Sequence, residues 1–368
     1  MLEFVPYTRE WPRGVQEFNQ RMVAGGLENE LRFPEKLEEE PHSSSDDALF
    51  QEYFLAVEGS DVRGAYFLTH ERWVANGQRH RVANFRLPIS EGFVDPKYRG
   101  TGRALLDHAL NRNRLLYCLG LGGKNRPLAK MLARHQWTIA DTAFYFRCVQ
   151  PREVLLNLTC LRTNPSWRLV MDAVAQSGGW VGIAALQRLR RQEPSRQVST
   201  SLVADFGDWA DELWERASSA YSMLADRHST ELRNRYPADD PRFQRLLVSS
   251  GSQICGWAVV LATTMRDHRH FGSLKVGTIV DCLALPGSEH DVICAATAVL
   301  EARGVGIIVS NQSHRNWRGA FGRAGFLSGP TNRFFTPSPE LERLLKPFGQ
   351  KFPLTHLTRG DGAGPIHL

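Results

Sequence analysis

Residues 92–110 read GFVDPKYRGTGRALLDHAL, and this stretch decides the reading of the whole chain. An extended run over 79–94 ends at Val94. A turn follows, built from Asp95, Pro96, Lys97, Tyr98, Arg99, Gly100, Thr101 and Gly102. An amphipathic helix then opens with Arg103, Ala104, Leu105 and Leu106. Gly100, Gly102 and Ala104 are small enough for backbone N–H groups to approach a ligand closely. The first N–H groups of a helix lack an intrahelical acceptor, and the helix dipole favours an anion there. Strand, glycine-bearing turn and helix N-terminus together make a phosphate cradle. Lys97, Arg99 and Arg103 add positive charge around it. Neither the Walker pattern nor the dinucleotide GxGxxG pattern is present.

Upstream of this stretch, residues 2–7 read as a short strand and 13–24 as a helix; 52–58 and 63–74 read as strands about a turn at 59–61. Downstream, 102–114 is helical, 115–121 a buried strand, 127–135 a helix and 138–149 a strand. Residues 151–195 read as helices, and the polar stretch 190–197 with Pro194 as a linker. A second mixed unit repeats the same order of elements, which points to two copies of one fold. The expected organisation is a first domain at 1–150, a helical connector and linker at 151–197, a second domain at 198–357 and a loose tail at 358–368. Residues 38–47 read as an exposed acidic and Ser-rich loop.

The hexapeptide Arg99-Gly100-Thr101-Gly102-Arg103-Ala104 resembles the R-x-x-G-x-A pyrophosphate motif of the GNAT superfamily of acyl-CoA N-acyltransferases. The resemblance extends by element order across 1–150 and implies an α/β fold. Each of two GNAT-like domains would have a central, mostly antiparallel sheet with a splayed strand pair, flanked by helices. It implies an acyltransferase with acetyl-CoA or another acyl-CoA as cosubstrate and no metal. By resemblance, Phe93 and Val94 bind the pantetheine arm, residues 99–104 bind the pyrophosphate, and Asn125 lies near the thiol. The second half resembles the family less closely. Its corresponding turn, residues 286–291, lacks the motif and carries Glu289 and Asp291 where phosphate would sit, so like charges would repel CoA there. It reads as a degenerate copy that shapes the acceptor site or a homodimer interface.

Amide formation from a thioester needs a proton acceptor and a donor to the leaving thiolate. In the resembled family a carboxylate near the splay serves as base, which makes Glu91 the candidate, with Asp281 at the comparable place in the second half. The family's usual acid is a tyrosine, but the matching positions hold Leu132 and Phe321; Tyr145 is the substitute within reach of the pattern. The HxxxD of residues 42–46 sits in a Ser-rich loop and reads as chance. His268, His270 and His290 lack a supporting cluster at ligand spacing and read as surface residues.

The expected acceptor is the amine of a small molecule or amino sugar; residues 225–244 resemble proteins found with bacterial polysaccharide biosynthesis, and that resemblance implies a role there. Tyr221, Arg233, Arg235, Tyr236 and Arg242 either line that acceptor site or cap the sheet. The alternatives are a transferase using aminoacyl-tRNA and a non-catalytic CoA-binding scaffold. A net charge of +6 and a pI of about 9.1 permit a nucleic-acid partner. The pyrophosphate motif argues against one. Six cysteines without a CxxC pair suit reduced thiols in the cytoplasm. The N-terminus shows no signal pattern, and no apolar run approaches the roughly 18 residues of a membrane span.

Overall fold

The computed structural model describes residues 2–37, 49–195 and 197–362. The loop at 38–47, the HxxxD at 42–46, Arg196 of the linker and residues 363–368 of the tail lie outside the described residues. The chain divides into two compact units, and neither is contiguous in sequence.

Unit 1 comprises Met1–Trp73, Gln78–Ala140 and Phe334–Phe348. Its strands are β1 (Glu3–Pro6), β2 (Phe50–Glu58), β3 (Asp61–Ala75), β4 (Gln78–Ser90) and β5 (Leu116–Leu119). Its helices include α1 (Pro12–Ala24), α2 (Thr101–Arg112) and α3 (Pro127–Arg134). Proline at the start of α1 suits a first turn, which has no use for its missing N–H. Val15, Phe18, Asn19 and Met22 then recur at helical spacing and are buried. Alternation along β3 splits its side chains between two cores. Tyr66 and Leu68 join Leu105, Leu106 and Leu132 on one face, while Ala65 and Phe67 join Phe18 and Met22 on the other. β1 with β2 and β2 with β3 are antiparallel. β4 and β5 are parallel, in register only at Ala83↔Leu116 and Asn84↔Tyr117. β4 continues to Ser90, so the two strands part beyond Asn84. On its other side β5 pairs antiparallel with residues 335–337.

Unit 2 comprises Val74–Gly77, Asp141–Arg333 and Gly349–Leu368. It opens with β6 (Ala140–Cys148), α4 (Pro151–Asn157), α5 (Pro165–Gln176) and α6 (Trp180–Arg190). There follow β7 (Ser199–Val203), α7 (Asp208–Ala217), β8 (Met223–Ala225), α8 (Ser229–Arg235), β9 (Gln244–Ser250) and β10 (Gln253–Thr264). Then come β11 (Lys275–Ala284), α9 (Glu289–Ala302), β12 (Ile307–Gln312), α10 (Arg315–Arg323), β13 (Leu327–Pro337) and β14 (Thr355–His356). The strand order is β7-β9-β10-β11-β12-β6-β13. Within it β11 and β12 are parallel, and the β7–β9, β9–β10, β10–β11 and β12–β6 pairs are antiparallel. The parallel register again covers only a short stretch, Val276↔Ile307 to Thr278↔Val309.

The expected architecture is present in both units: a mostly antiparallel sheet, one parallel pair that splays, and flanking helices. The boundaries differ from a cut at residue 150. β6, expected to close the first domain, pairs with β12 in unit 2. The end of β13 closes unit 1 against β5. An apolar strand satisfies its backbone on any edge with a matching face, so chain order does not decide where it seats. The connector helices belong to unit 2. The tail is not loose through residue 362: Thr358, Gly360, Asp361 and Gly362 are buried.

Candidate functional site

β4 stops at Ser90, four residues before the expected Val94. Two single 3₁₀ turns follow, Glu91–Phe93 and Pro96–Tyr98. The Asp95 carboxylate accepts the N–H of Lys97 at 2.9 Å, and the Tyr98 hydroxyl donates to Glu58 at 2.9 Å. Arg63 lies over the Tyr98 ring, 4.7 Å from its centroid. Gly92 packs so closely that a Cβ there would strike the Tyr98 carbonyl. The turn is therefore held by side chains from the β2–β3 hairpin.

α2 then opens at Thr101, with Gly100 as its N-cap. Its first internal bond runs from the Ala104 N–H to the Gly100 carbonyl at 3.1 Å. The N–H groups of Thr101, Gly102 and Arg103 thus have no acceptor within the helix. A Cβ on Gly100 would meet no atom within 4 Å. One on Gly102 would meet the Met131 sulfur at 3.7 Å and the Ser90 Cβ at 3.8 Å. Both glycines leave bare backbone where a side chain would otherwise stand, which fits an anion cradle. Arg99 is exposed and has no ion pair among the described residues. Arg103 is engaged by Asp107 at 3.0 Å.

The cradle lies against the end of β4 at Ser90, beyond the stretch in which β4 pairs with β5. Leu87 has φ +47°, an uncommon value for leucine. Regular alternation would put Phe85 and Leu87 on one face. Instead Phe85 packs with α2 and α3, while Leu87 and Ile89 pack with α1. This irregularity turns the end of β4 and brings Ser90 to the start of α2.

Phe93 and Val94 do not extend β4. Phe93 is exposed in the first 3₁₀ turn. The Val94 N–H is spent on the Glu91 carbonyl at 3.0 Å, and its side chain abuts Gly25 at the end of α1. The backbone beside the splay is that of residues 87–90 instead. Asn125 is exposed in the turn before α3.

Glu91 is buried, and both of its oxygens are taken. One accepts from Arg21 at 2.9 Å and the other from Arg63 at 3.1 Å. Arg21 also donates to the Val62 carbonyl at 2.7 Å. This corrects the expectation of a free catalytic carboxylate: Glu91 ties α1, β3 and the turn together. Asp281 is corrected in the same way. It is fully buried and accepts from Arg227 at 3.2 Å, from the Tyr236 hydroxyl at 3.0 Å and from the Thr358 hydroxyl at 3.1 Å. Leu132 and Phe321 are core side chains, and Tyr145 stacks on Phe321 within unit 2 at 4.9 Å.

In unit 2 the places matching the cradle and splay are filled by the chain itself. At the start of α9, Glu289 accepts the Gly287 N–H at 2.9 Å and Asp291 accepts the Ser195 N–H at 2.7 Å. His290 is buried there rather than on the surface. Past Thr278, where β11 and β12 part, residues 355–361 occupy the gap. The Gly360 N–H donates to the Val280 carbonyl at 2.9 Å, and the Leu357 carbonyl accepts from the Ser313 N–H at 3.2 Å. His356 bonds the Cys282 carbonyl at 2.8 Å, and Arg359 donates to Asn311 at 3.0 Å. Arg227, also fully buried, joins Asp281 to Asp361 at 3.0 Å. Burial pushes the Asp361 carboxyl up, but Arg227, Arg235, the Thr358 N–H and His356 together hold it below its ordinary range. Tyr236 and Arg235 serve this seat, and Arg233 and Arg242 pair with Asp205 and Asp240.

Two features escaped sequence reading. One is this seating of the tail, whose only signal was an acidic residue, Asp281, inside an apolar strand. The other is a polar cluster on the α1 side of unit 1. There Glu71 accepts from Trp73 at 2.9 Å and from Tyr117 at 3.3 Å, and Arg86 lies 4.7 Å from the centre of the Phe67 ring. Burial holds the Arg86 guanidinium below its usual range.

No protein-family model matches the chain, and no curated protein matches it in sequence. Solved structures do match in fold. The Saccharomyces cerevisiae N-myristoyltransferase with bound myristoyl-CoA superposes with a TM-score of 0.53 at 9% identity, over 92% of this chain and 82% of that one. A GCN5-related N-acetyltransferase from Anabaena variabilis gives 0.51 at 12% identity, over 91% and 72%. A GCN5-related glucosamine N-acetyltransferase region of a fungal multi-domain β-N-acetylglucosaminidase also gives 0.51 at 12%, over 91% of this chain and 38% of that one. The fold is of the GNAT type.

Proposed function

We propose that this chain is an acyl-CoA-dependent N-acyltransferase with its one acyl-CoA site in unit 1. The observation that carries the reading is the cradle: three unpaired N–H groups at the start of α2, two bare glycines, and the R-x-x-G-x-A pattern beside a splayed strand pair. The N–H groups of Thr101, Gly102 and Arg103, with Arg99, would hold the pyrophosphate. The backbone of residues 87–90 replaces Phe93 and Val94 as the edge offered to the pantetheine arm. Asn125 is kept at the thiol end.

In the reaction the acceptor amine attacks the thioester carbon, the C–S bond breaks, and an amide and CoA thiol form. The amine must lose one proton and the thiolate must gain one. Glu91 has both oxygens on guanidinium groups, and Leu132 carries no proton to give. Both transfers are therefore assigned to water. The proposed acyl group is acetyl, and the proposed acceptor is a small-molecule amine or amino sugar. The fungal neighbour named for glucosamine N-acetylation supports that class. A role in polysaccharide synthesis and a cytoplasmic setting complete the reading; the setting is supported by six free thiols, five of them buried.

Thiol release from acetyl-CoA, followed with pools of amines and amino sugars, tests this. Amine-dependent release at rates above hydrolysis is expected. CoA binding without release from acetyl-CoA or a long-chain acyl-CoA would leave the scaffold reading, and no CoA binding at all would overturn the proposal.

A further inference from the structure

α6 carries apolar side chains on its exposed side as well as on the side that packs through Ile183. Its outward stripe holds Gly182, Ala185, Leu186 and Leu189, all exposed, with Leu189 86% accessible. Its inward positions include the buried Gln187, whose amide clasps both backbone groups of Cys148 at 3.0 and 2.8 Å. Gln187 and Ile183 thus anchor the helix while two leucines are left facing outward. The adjoining α5 adds Trp167, Leu169 and Val170, and α6 begins with exposed Val181. Of the ten large apolar side chains exposed among the described residues, seven fall within 161–189, so they are concentrated in one segment rather than scattered along the chain.

Charge on the same segment has one sign. Arg168, Arg188, Arg190 and Arg191 are exposed and form no ion pairs among the described residues. The segment's one acid, Asp172, is taken by Arg162 at 2.7 Å. A second copy of this face would set arginine against arginine, whereas an anionic lipid surface neutralises it. Trp167 and Trp180 are suited to the headgroup level, where an apolar ring and a polar N–H are both satisfied.

We infer that the α5–α6 face of unit 2 docks on an anionic lipid bilayer and lies in its interface. α5 and α6 have 12 and 11 residues, and their axes differ by 74°. At ~1.5 Å per residue each is about half the ~30 Å of a hydrocarbon core. No single described helix is long and apolar enough to cross a membrane.

The test is co-sedimentation of the full chain with phosphatidylcholine vesicles, with and without phosphatidylglycerol. The parent is expected to sediment with the anionic vesicles and to be released by salt. The double variant Leu186→Glu/Leu189→Glu should lose about tenfold or more of that binding while keeping its circular dichroism and CoA titration unchanged. Arg188→Gln/Arg190→Gln should lose the preference for anionic lipid. Failure of the parent to sediment, or equal sedimentation of the leucine variant, overturns the inference. So does a lipid-free dimer that the leucine variant abolishes, which would assign the face to self-association.

Discussion

The backbone N–H of Gly360 donates to the carbonyl of Val280 at 2.9 Å, inside the gap where β11 and β12 separate. A Cβ at Gly360 would fall on the hydroxyl of Tyr236, which is itself bonded to Asp281. Gly360→Ala should therefore unseat the tail. We expect a loss of about 2 kcal/mol in denaturant unfolding, typical of overpacking in a closed core. Asp361→Asn should cost more, about 3 kcal/mol, because it leaves the buried Arg227 with one carboxylate. Parent-like stability of both variants would show that the tail is not part of the unit 2 core.

With the tail in that gap, and the carboxylates of Glu289 and Asp291 at the start of α9, acyl-CoA should bind once per chain. Calorimetric titration should give one site. Gly102→Val should abolish it with the fold retained, since its Cβ meets only ordinary contacts in the protein. Arg99→Ala should weaken affinity about tenfold, the share of one exposed charge-assisted bond. Two equivalent sites, or unchanged binding by Gly102→Val, would refute the site in unit 1.

Glu91→Gln separates a base from a strut. Loss of its charge leaves Arg21 and Arg63 without their shared carboxylate, so stability should fall by about 2–3 kcal/mol and CoA should bind more weakly. The shape of the pH–rate profile should not change. An intact fold with kcat reduced about 10²–10⁴-fold would restore Glu91 as the base.

His314 gives an acid-side prediction. Burial pushes its imidazole down from the ordinary 6.5 to about 4, with Arg315 adding to the effect. Neither ring nitrogen has a hydrogen-bond partner. Between those values the unfolded chain binds the extra proton, so stability drops as pH falls from about 6.5 toward 4, by up to ~3 kcal/mol. His314→Phe should flatten that part of the melting-temperature profile. His356, pushed down by burial as well, leaves some acid sensitivity. Identical profiles for parent and variant would exclude His314 as a source.

The cradle was legible because its signals are local. Glycine spacing, a flanking extended run and an amphipathic helix all fall within residues 79–112, and backbone geometry follows from them over short range. Element order was legible for the same reason. Phe93 and Val94 were misplaced because Leu87 adopts a left-handed backbone that no local pattern announces in leucine. The 3₁₀ turns after Ser90 depend on Glu58 and Arg63, which are remote in sequence.

The sequence by itself determined the GNAT-type order of elements, the glycine-bearing turn at 99–104 that opens a helix, and the acidic character of residues 286–291. Only the tertiary structure decided that Glu91 and Asp281 are consumed by arginines 21, 63 and 227, that β6 closes unit 2 while 335–337 close unit 1, and that residues 355–361 fill the second splay. Partner choice is the common reason. A carboxylate, a strand edge or a buried carbonyl is satisfied by whichever group the fold brings to it, and those groups here lie from tens of residues to more than two hundred away.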